Sequence, residues 1–157
     1  MDFLGGRGVA QPLRILIVED QAILAMELEH VLTDAGHVVV GCAMDQVEAL
    51  SLAEHAPPDV ALVDVNLRDG PTGPDVARAL VAAHQSVVVF LTANPEQIPE
   101  GFSGAIGALT KPFDDQTIRA VVAFAARFRQ EKATDHPPGR LRLAPWLADV
   151  PTHLPRH

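Results

Sequence analysis

The chain has 157 residues, 48% of them apolar and 20% charged, with a formal net charge of -8 and a sequence pI near 5.2. A chain of this size buries one substantial core and little more, so one folded domain is expected. The acidic balance, with no cluster of lysine and arginine, argues against a protein that coats nucleic acid, because that task requires neutralising phosphates. The apolar runs are too short to span a bilayer and the N-terminus lacks a secretory signal, so a cytoplasmic location without membrane contact is expected. Cys42 is the only cysteine, which excludes an intramolecular disulfide and argues against a cysteine-based zinc site. It reads as a small buried apolar residue.

In chain order, residues 1–11, with Gly5, Gly6 and Gly8, read as a flexible arm. They are not a phosphate-cradling loop, since no strand precedes them and no Gly-Lys-Ser/Thr follows. Within 12–131, short β-branched runs at 13–18, 38–42, 60–63, 87–91 and 105–109 alternate with segments of helical period. Most of these runs lack polar alternation, as strands covered on both faces should; the last, rich in Gly and Ala, is the weakest. Between them lie helical stripes: Leu24, Leu28, Val31 and Ala35; then Val47 and Leu50; then Val76, Leu80 and Ala83; and finally Ile118, Val121, Val122, Ala125 and Phe128. The alternation predicts an α/β domain of five βα units around a parallel sheet. The punctuation agrees. Asp45 with Glu48 resembles a capping box, Pro74 suits a first helical turn and Gly36 closes the first helix.

Residues 95–102, the place for a fourth helix, hold two prolines, a glycine and only Ile98 as a core contact, so that element is expected to be short or irregular. From 132 to 157 there are five prolines and no sustained period, which predicts a disordered tail. Trp146, flanked by Leu143 and Leu147, is the one place where that tail could dock. The seven histidines, among them His30, His37, His55, His84, His153 and His157, lack ligand spacing, and none reads as catalytic.

Chemistry gathers at the C-terminal ends of the predicted strands, where open α/β sheets bind ligands. The first run ends in Glu19 and Asp20, the third in Asp64 followed by Val65 and Asn66, the fourth in Thr92, and the fifth leads into Lys111 and Pro112. If three carboxylates meet there, each close pair repels by about 4 kcal/mol at an effective dielectric near 20, and one lysine cannot balance them. Hard oxygen donors of this kind suit Mg2+ or Mn2+. Each residue also has a plainer role open to it: Asp20 as a helix N-cap, Glu19 as a solvated strand-end acid, Asp64 as a turn acid, Thr92 as a turn cap and Lys111 as a surface lysine.

Val-Glu-Asp at 18–20, Leu-Val-Asp-Val-Asn-Leu at 62–67, Phe-Leu-Thr-Ala at 90–93 and Lys-Pro-Phe at 111–113 are weak signals singly. In this order and spacing the segment 13–128 resembles the bacterial receiver domain of two-component response regulators. The resemblance implies a flavodoxin-like doubly wound (βα)5 sheet of order 2-1-3-4-5. It implies that Asp64 accepts a phosphoryl group from a sensor histidine kinase or phosphotransfer protein. It further implies that Glu19, Asp20, Asp64 and the main-chain carbonyl of Asn66 hold the metal, that Thr92 and Lys111 contact the phosphoryl oxygens, and that Pro112 follows a cis peptide.

Ala108 departs from the pattern, since many receivers carry an aromatic switch residue there and this chain has no tyrosine. Phe90, Thr92 and the small residues around the fifth strand resemble a subgroup named for a Phe-Ala-Thr-Gly-type motif, from which Leu91 and Ala93 depart. Activation is therefore expected to reorder residues 93–104 instead of turning a ring. With no second domain expected after residue 128, the implied role is a single-domain regulator that signals through an unidentified protein or acts as a phosphate sink. It would be no enzyme beyond its own phosphorylation and dephosphorylation and would make no direct DNA contact; homodimerisation stays open. The alternatives are a receiver-like adaptor that works without phosphorylation, and a flavodoxin-like carrier or aspartyl-intermediate phosphatase. The last pair fits poorly, because Glu19 and Asp20 stand where a phosphate loop needs donors.

Overall fold

A computed structural model of the chain describes residues 12–149. The expected arm, 1–11, and the histidines at 153 and 157 lie outside them. Five parallel strands, β1 (Arg14–Val18), β2 (Val38–Ala43), β3 (Val60–Val63), β4 (Val87–Thr92) and β5 (Gly107–Thr110), stand in the order 2-1-3-4-5. Four helices accompany them: α1 (Ala22–Asp34), α2 (Gln46–His55), α3 (Gly73–His84) and α4 (Asp115–Glu131).

Side-chain alternation along the buried strands explains the two-faced core. Ile15, Ile17, Leu62, Val89 and Leu91 pack with Leu28, Leu32, Val121 and Phe124 of α1 and α4. Their neighbours Leu16, Val18, Ala61, Val63, Val88 and Phe90 pack with Ala49, Ala53, Val76 and Leu80 of α2 and α3 on the other face. Both faces are covered, so β3 and β4 are buried at every position, and their continuous apolar runs follow from that. β2 is the outer strand beyond β1 and is only half covered. Cys42, expected to be buried, is exposed there, with Sγ 3.8 Å from Glu29 Oε1. Partial burial first, and the Glu29 carboxylate second, push the thiol up to about 11, so it is no ready nucleophile.

Local punctuation is largely as expected. Pro74 lies in the first turn of α3. Gly36, at φ +97°, leads the chain out of α1. Asp45 caps α2 by accepting from the Glu48 N–H at 2.9 Å, while the Glu48 carboxylate accepts from the N–H of Met44, one residue earlier than in a regular capping box.

The connection from β4 to β5 is short and irregular, as expected, with 3-10 turns at Pro95–Gln97 and Phe102–Gly104 and no α-helix, so four of the five units carry an α-helix. Pro95 and Pro99 remove donors, and Phe102 and Ser103 take left-handed φ values of 55° and 49°, which no continuing helix accommodates. One expectation needs correction: within the segment expected to be disordered, the described residues form a sixth strand, β6 (Leu141–Leu143), antiparallel to β5, and a 3-10 turn at Pro145–Asp149. It is held by tertiary contacts, chiefly Trp146, whose Nε1–H donates to the Ala105 carbonyl at 2.8 Å and whose ring meets Phe128 edge-on at 6.3 Å.

His37, just before β2, accepts from the Leu13 N–H at Nδ1 (3.1 Å), so the fold uses the neutral ring, and burial holds its pKa below the ordinary value. The unfolded chain then takes up this proton at higher pH than the folded one. The resulting stability is complete above about pH 6.5 and is lost as pH falls through the depressed folded value. We expect the His37 ring, followed by NMR, to titrate below 6.5. Urea midpoints compared between pH 7.5 and 5.5 should fall more in wild type than in His37→Gln; equal falls would remove His37 from the acid sensitivity.

Candidate functional site

The strand order sets the ends of β1, β3, β4 and β5 side by side, and the polar residues that follow each strand share one edge. Glu19, Asp20 and Asp64 each place a carboxylate oxygen within 4.8 Å of the others, the one such group of metal-ligating side chains found among the described residues. Glu19 is 1% and Asp64 7% exposed, while Asp20 is the most open of the three. Asp20 is not the N-cap of α1. Gln21 holds that position without a side-chain hydrogen bond, leaving the Asp20 carboxylate for the cluster.

Lys111 reaches the cluster from beyond β5. Its Nζ donates to Glu19 Oε1 and to Asp64 Oδ2, each at 2.9 Å. The Lys111–Pro112 peptide is cis, and the Lys111 N–H donates to the Thr92 carbonyl at 2.9 Å, which ties the backbone at Lys111 to the end of β4. Burial works against the ammonium, but the Asp64 and Glu19 carboxylates outweigh it and hold Lys111 above the ordinary lysine value. Burial raises the Glu19 pKa and the Asp64 charge adds to the rise, against the lowering contacts from the Gln21 N–H (3.0 Å) and Lys111. Three carboxylates face one ammonium, so a cation would relieve the remaining repulsion.

Thr92, completely buried, ends β4. Its Oγ1 accepts from the Asn94 N–H at 2.9 Å, and no acceptor for its own hydroxyl hydrogen occurs among the described contacts. Thr92 therefore stands beside the carboxylate cluster with a donor to spare. Asn66 lies over the acid, its N–H 3.4 Å from Asp64 Oδ1, a long contact, while its Nδ2 donates to Gln97 Oε1 at 2.7 Å and so ties the loop after β3 to the β4–β5 connection.

Two contributors are not legible from motifs. Gly73 opens α3 so close to the loop that a Cβ there would lie 2.0 Å from the Asp64 carbonyl oxygen and 2.7 Å from Val65 Cα. Its N–H donates to the Val65 carbonyl at 3.0 Å, which sets the path of the loop. Gln97 stands in a segment with no periodic pattern. Beside the site, Gln21, Ile23, Leu24, Glu27, Pro112 and Phe113 line an open groove of about 490 Å³ with Lys111 at its edge. Ile23 and Met26 of α1 are 74% and 67% exposed.

The chain is 36% identical over 118 residues to the phyllosphere-induced regulator PhyR of Methylorubrum extorquens, covering 74% of this chain and 44% of that protein. It is 36% identical over 132 residues to the transcriptional regulatory protein PdtaR of Mycobacterium tuberculosis, covering 80% of this chain and 63% of that one. The chain thus spans about half the length of the curated relatives it matches. The solution structure of the receiver domain of Erythrobacter litoralis PhyR superposes with a TM-score of 0.68 at 29% identity, covering 74% of this chain and 92% of that one. The family profile described as the response regulator receiver domain matches residues 15–123, which include all four chemistry-bearing strand ends. The chain belongs to the response regulator receiver domain family.

Proposed function

We propose that the chain is a phosphoryl-accepting switch in two-component signalling and that Asp64 is its acceptor. The observation that carries this reading is the sharing of the Lys111 ammonium between Glu19 and Asp64 at 2.9 Å each, inside a buried cluster with an excess of carboxylates. In the proposed step an Asp64 carboxylate oxygen attacks the phosphorus of a phosphohistidine on a sensor kinase or phosphotransfer protein. The O–P bond forms as the P–N bond breaks, and the imidazole, protonated on its other nitrogen, leaves neutral with the bonding pair. Glu19, Asp20, Asp64 and the Asn66 main-chain carbonyl are the proposed holders of Mg2+ or Mn2+. When bound, that ion supplies positive charge against the phosphoryl oxygens.

The protein's own groups do the rest. Lys111 turns from the carboxylates to one phosphoryl oxygen, and Thr92 spends its free hydroxyl hydrogen on another, so both contacts exist only after transfer. The groove beside Lys111, with Ile23 and Met26 exposed next to it, supports docking of the donor protein there, because it adjoins the path a phosphohistidine must take to Asp64. Ala108 has no ring to turn, so the response is assigned to the connection between β4 and β5, which meets the site through Gln97 and Asn66. A cytoplasmic location follows from a cytoplasmic phosphodonor; no helix among the described residues is long and apolar enough to cross a membrane.

Incubation with phosphoramidate and Mg2+ should add one phosphoryl group by intact mass to wild type, and none to Asp64→Asn or to a metal-chelated control. No addition from this donor or from a phosphorylated kinase would favour the adaptor that works without phosphorylation. A second expectation concerns Gly73→Ala. The Cβ would meet backbone that cannot swing aside, so stability should fall by about 1–3 kcal/mol in urea titrations, with slower phosphorylation of the protein that remains folded. Unchanged stability and rate would show that the loop has room there.

A further inference from the structure

In a sheet of order 2-1-3-4-5, β5 would be an open edge, and an open edge presents unpaired N–H and C=O groups to any strand that approaches. Here residues of the same chain cover it. β6 makes three ladder pairs with β5, Gly107 with Leu143, Ala108 with Arg142 and Leu109 with Leu141, and the Ala144 N–H continues the contact to the Ile106 carbonyl at 2.8 Å. The approach is close enough that a Cβ on Gly107 would lie 2.8 Å from the Arg142 carbonyl oxygen. Leu141, Ala144 and Leu147 are buried against the domain.

This segment grips the far ends of both elements that leave the phosphoacceptor pocket. The Arg140 guanidinium donates to the carbonyls of Thr110 (3.2 Å) and Pro112 (3.0 Å), the residues on either side of Lys111. The Arg142 guanidinium lies 5.7 Å over the Phe102 ring, and the Trp146 indole holds the Ala105 carbonyl. Phe102 and Ala105 end the connection that begins at Thr92 and touches Asn66 through Gln97. Lys111 and the β4–β5 connection thus each have one end at Asp64 and the other beneath residues 140–147. A three-residue strand has little stability of its own, so its docking depends on these few contacts.

We propose that residues 140–147 are a strap that is docked while Asp64 is unphosphorylated and is released by phosphorylation, uncovering the β5 edge. The inference rests on the phosphoacceptor reading of Asp64. A phosphoryl group on Asp64 takes Lys111 Nζ from Glu19 and engages the Thr92 hydroxyl, which shifts both residues at the pocket, and the strap contacts of Arg140, Arg142 and Trp146 belong to the arrangement before that shift. The two conformations therefore differ in contact free energy, which a population shift requires.

Trp146 is the only tryptophan, so its fluorescence reports strap docking without a label. The full chain is treated with phosphoramidate and Mg2+, phosphoryl occupancy is read by intact mass, and Trp146 emission and amide exchange across 141–144 are followed in the same sample. The expected result is a red shift of emission and exchange faster by roughly tenfold or more, the usual size of an allosteric coupling. In Arg140→Gln the exchange should be fast beforehand and change little on phosphorylation. High phosphoryl occupancy with unchanged emission and exchange overturns the strap and leaves the phosphoacceptor reading standing. If no phosphoryl group adds from this donor or from a phosphorylated kinase, that reading fails instead, and Lys111→Met then decides the strap's tie to the pocket: faster exchange across 141–144 supports it, and unchanged exchange ends it.

Discussion

The arrangement turns on one ammonium serving two buried carboxylates. Lys111 offsets part of the charge that Glu19, Asp20 and Asp64 bring together, yet one positive charge cannot neutralise three negative ones. The shortage makes the pocket a place where added positive charge is welcome. It also makes Lys111 a group whose allegiance can change, since any stronger anion built on Asp64 competes with Glu19 for it. A lysine with one dedicated partner would be a static ion pair; shared between two, it is poised to respond.

Holding such a cluster together requires a frame that does not relax away from it. Parallel strands buried on both faces provide that frame, because every residue of β3 and β4 is buried between two layers of helices and only the loops beyond them approach solvent. The repulsion is thereby concentrated at one edge instead of being relieved by movement of the backbone. Gly73 shows how closely the frame is drawn, with α3 starting against the carbonyl of Asp64 itself. On the opposite side, the Lys111 N–H bond to the Thr92 carbonyl ties the residue that carries the ammonium to the end of β4.

What could be read in the sequence was what depends on local pattern. The five parallel strands are legible because double-sided burial demands unbroken apolar runs, and the pocket residues are legible because each follows such a run. The exposure of Cys42 is not legible because an apolar run does not say which strand lies at the edge, and β2 does. β6 escaped notice because Leu-Arg-Leu between prolines has no period long enough to detect; it is a strand only because β5 offers it a ladder and Phe128 and Ala105 accept Trp146. Gly73 and Gln97 escaped for a related reason. Their roles lie in the approach of two loops, and no residue spacing encodes that distance.

The small residues of β5 and the covered edge belong to one design. Where an aromatic at position 108 could carry a response across the sheet by turning its ring, Ala108 offers nothing to turn and shares its core cluster with Phe102 and Ala144, with Trp146 packed against it. The aromatic mass near this edge therefore sits on the connection before β5 and on the segment after α4, and neither ring is on the strand itself. On the proposed reading, a signal from Asp64 reaches those rings through backbone, by way of Thr92 and the β4–β5 connection or by way of Lys111 and Pro112. Both routes end under the same short segment, where Gly107 lets β6 lie close enough for the two to be read together. Replacing a rotating ring with a docked strand changes the kind of output available. A ring reshapes an existing surface, whereas a strand that leaves exposes a row of unpaired backbone donors and acceptors.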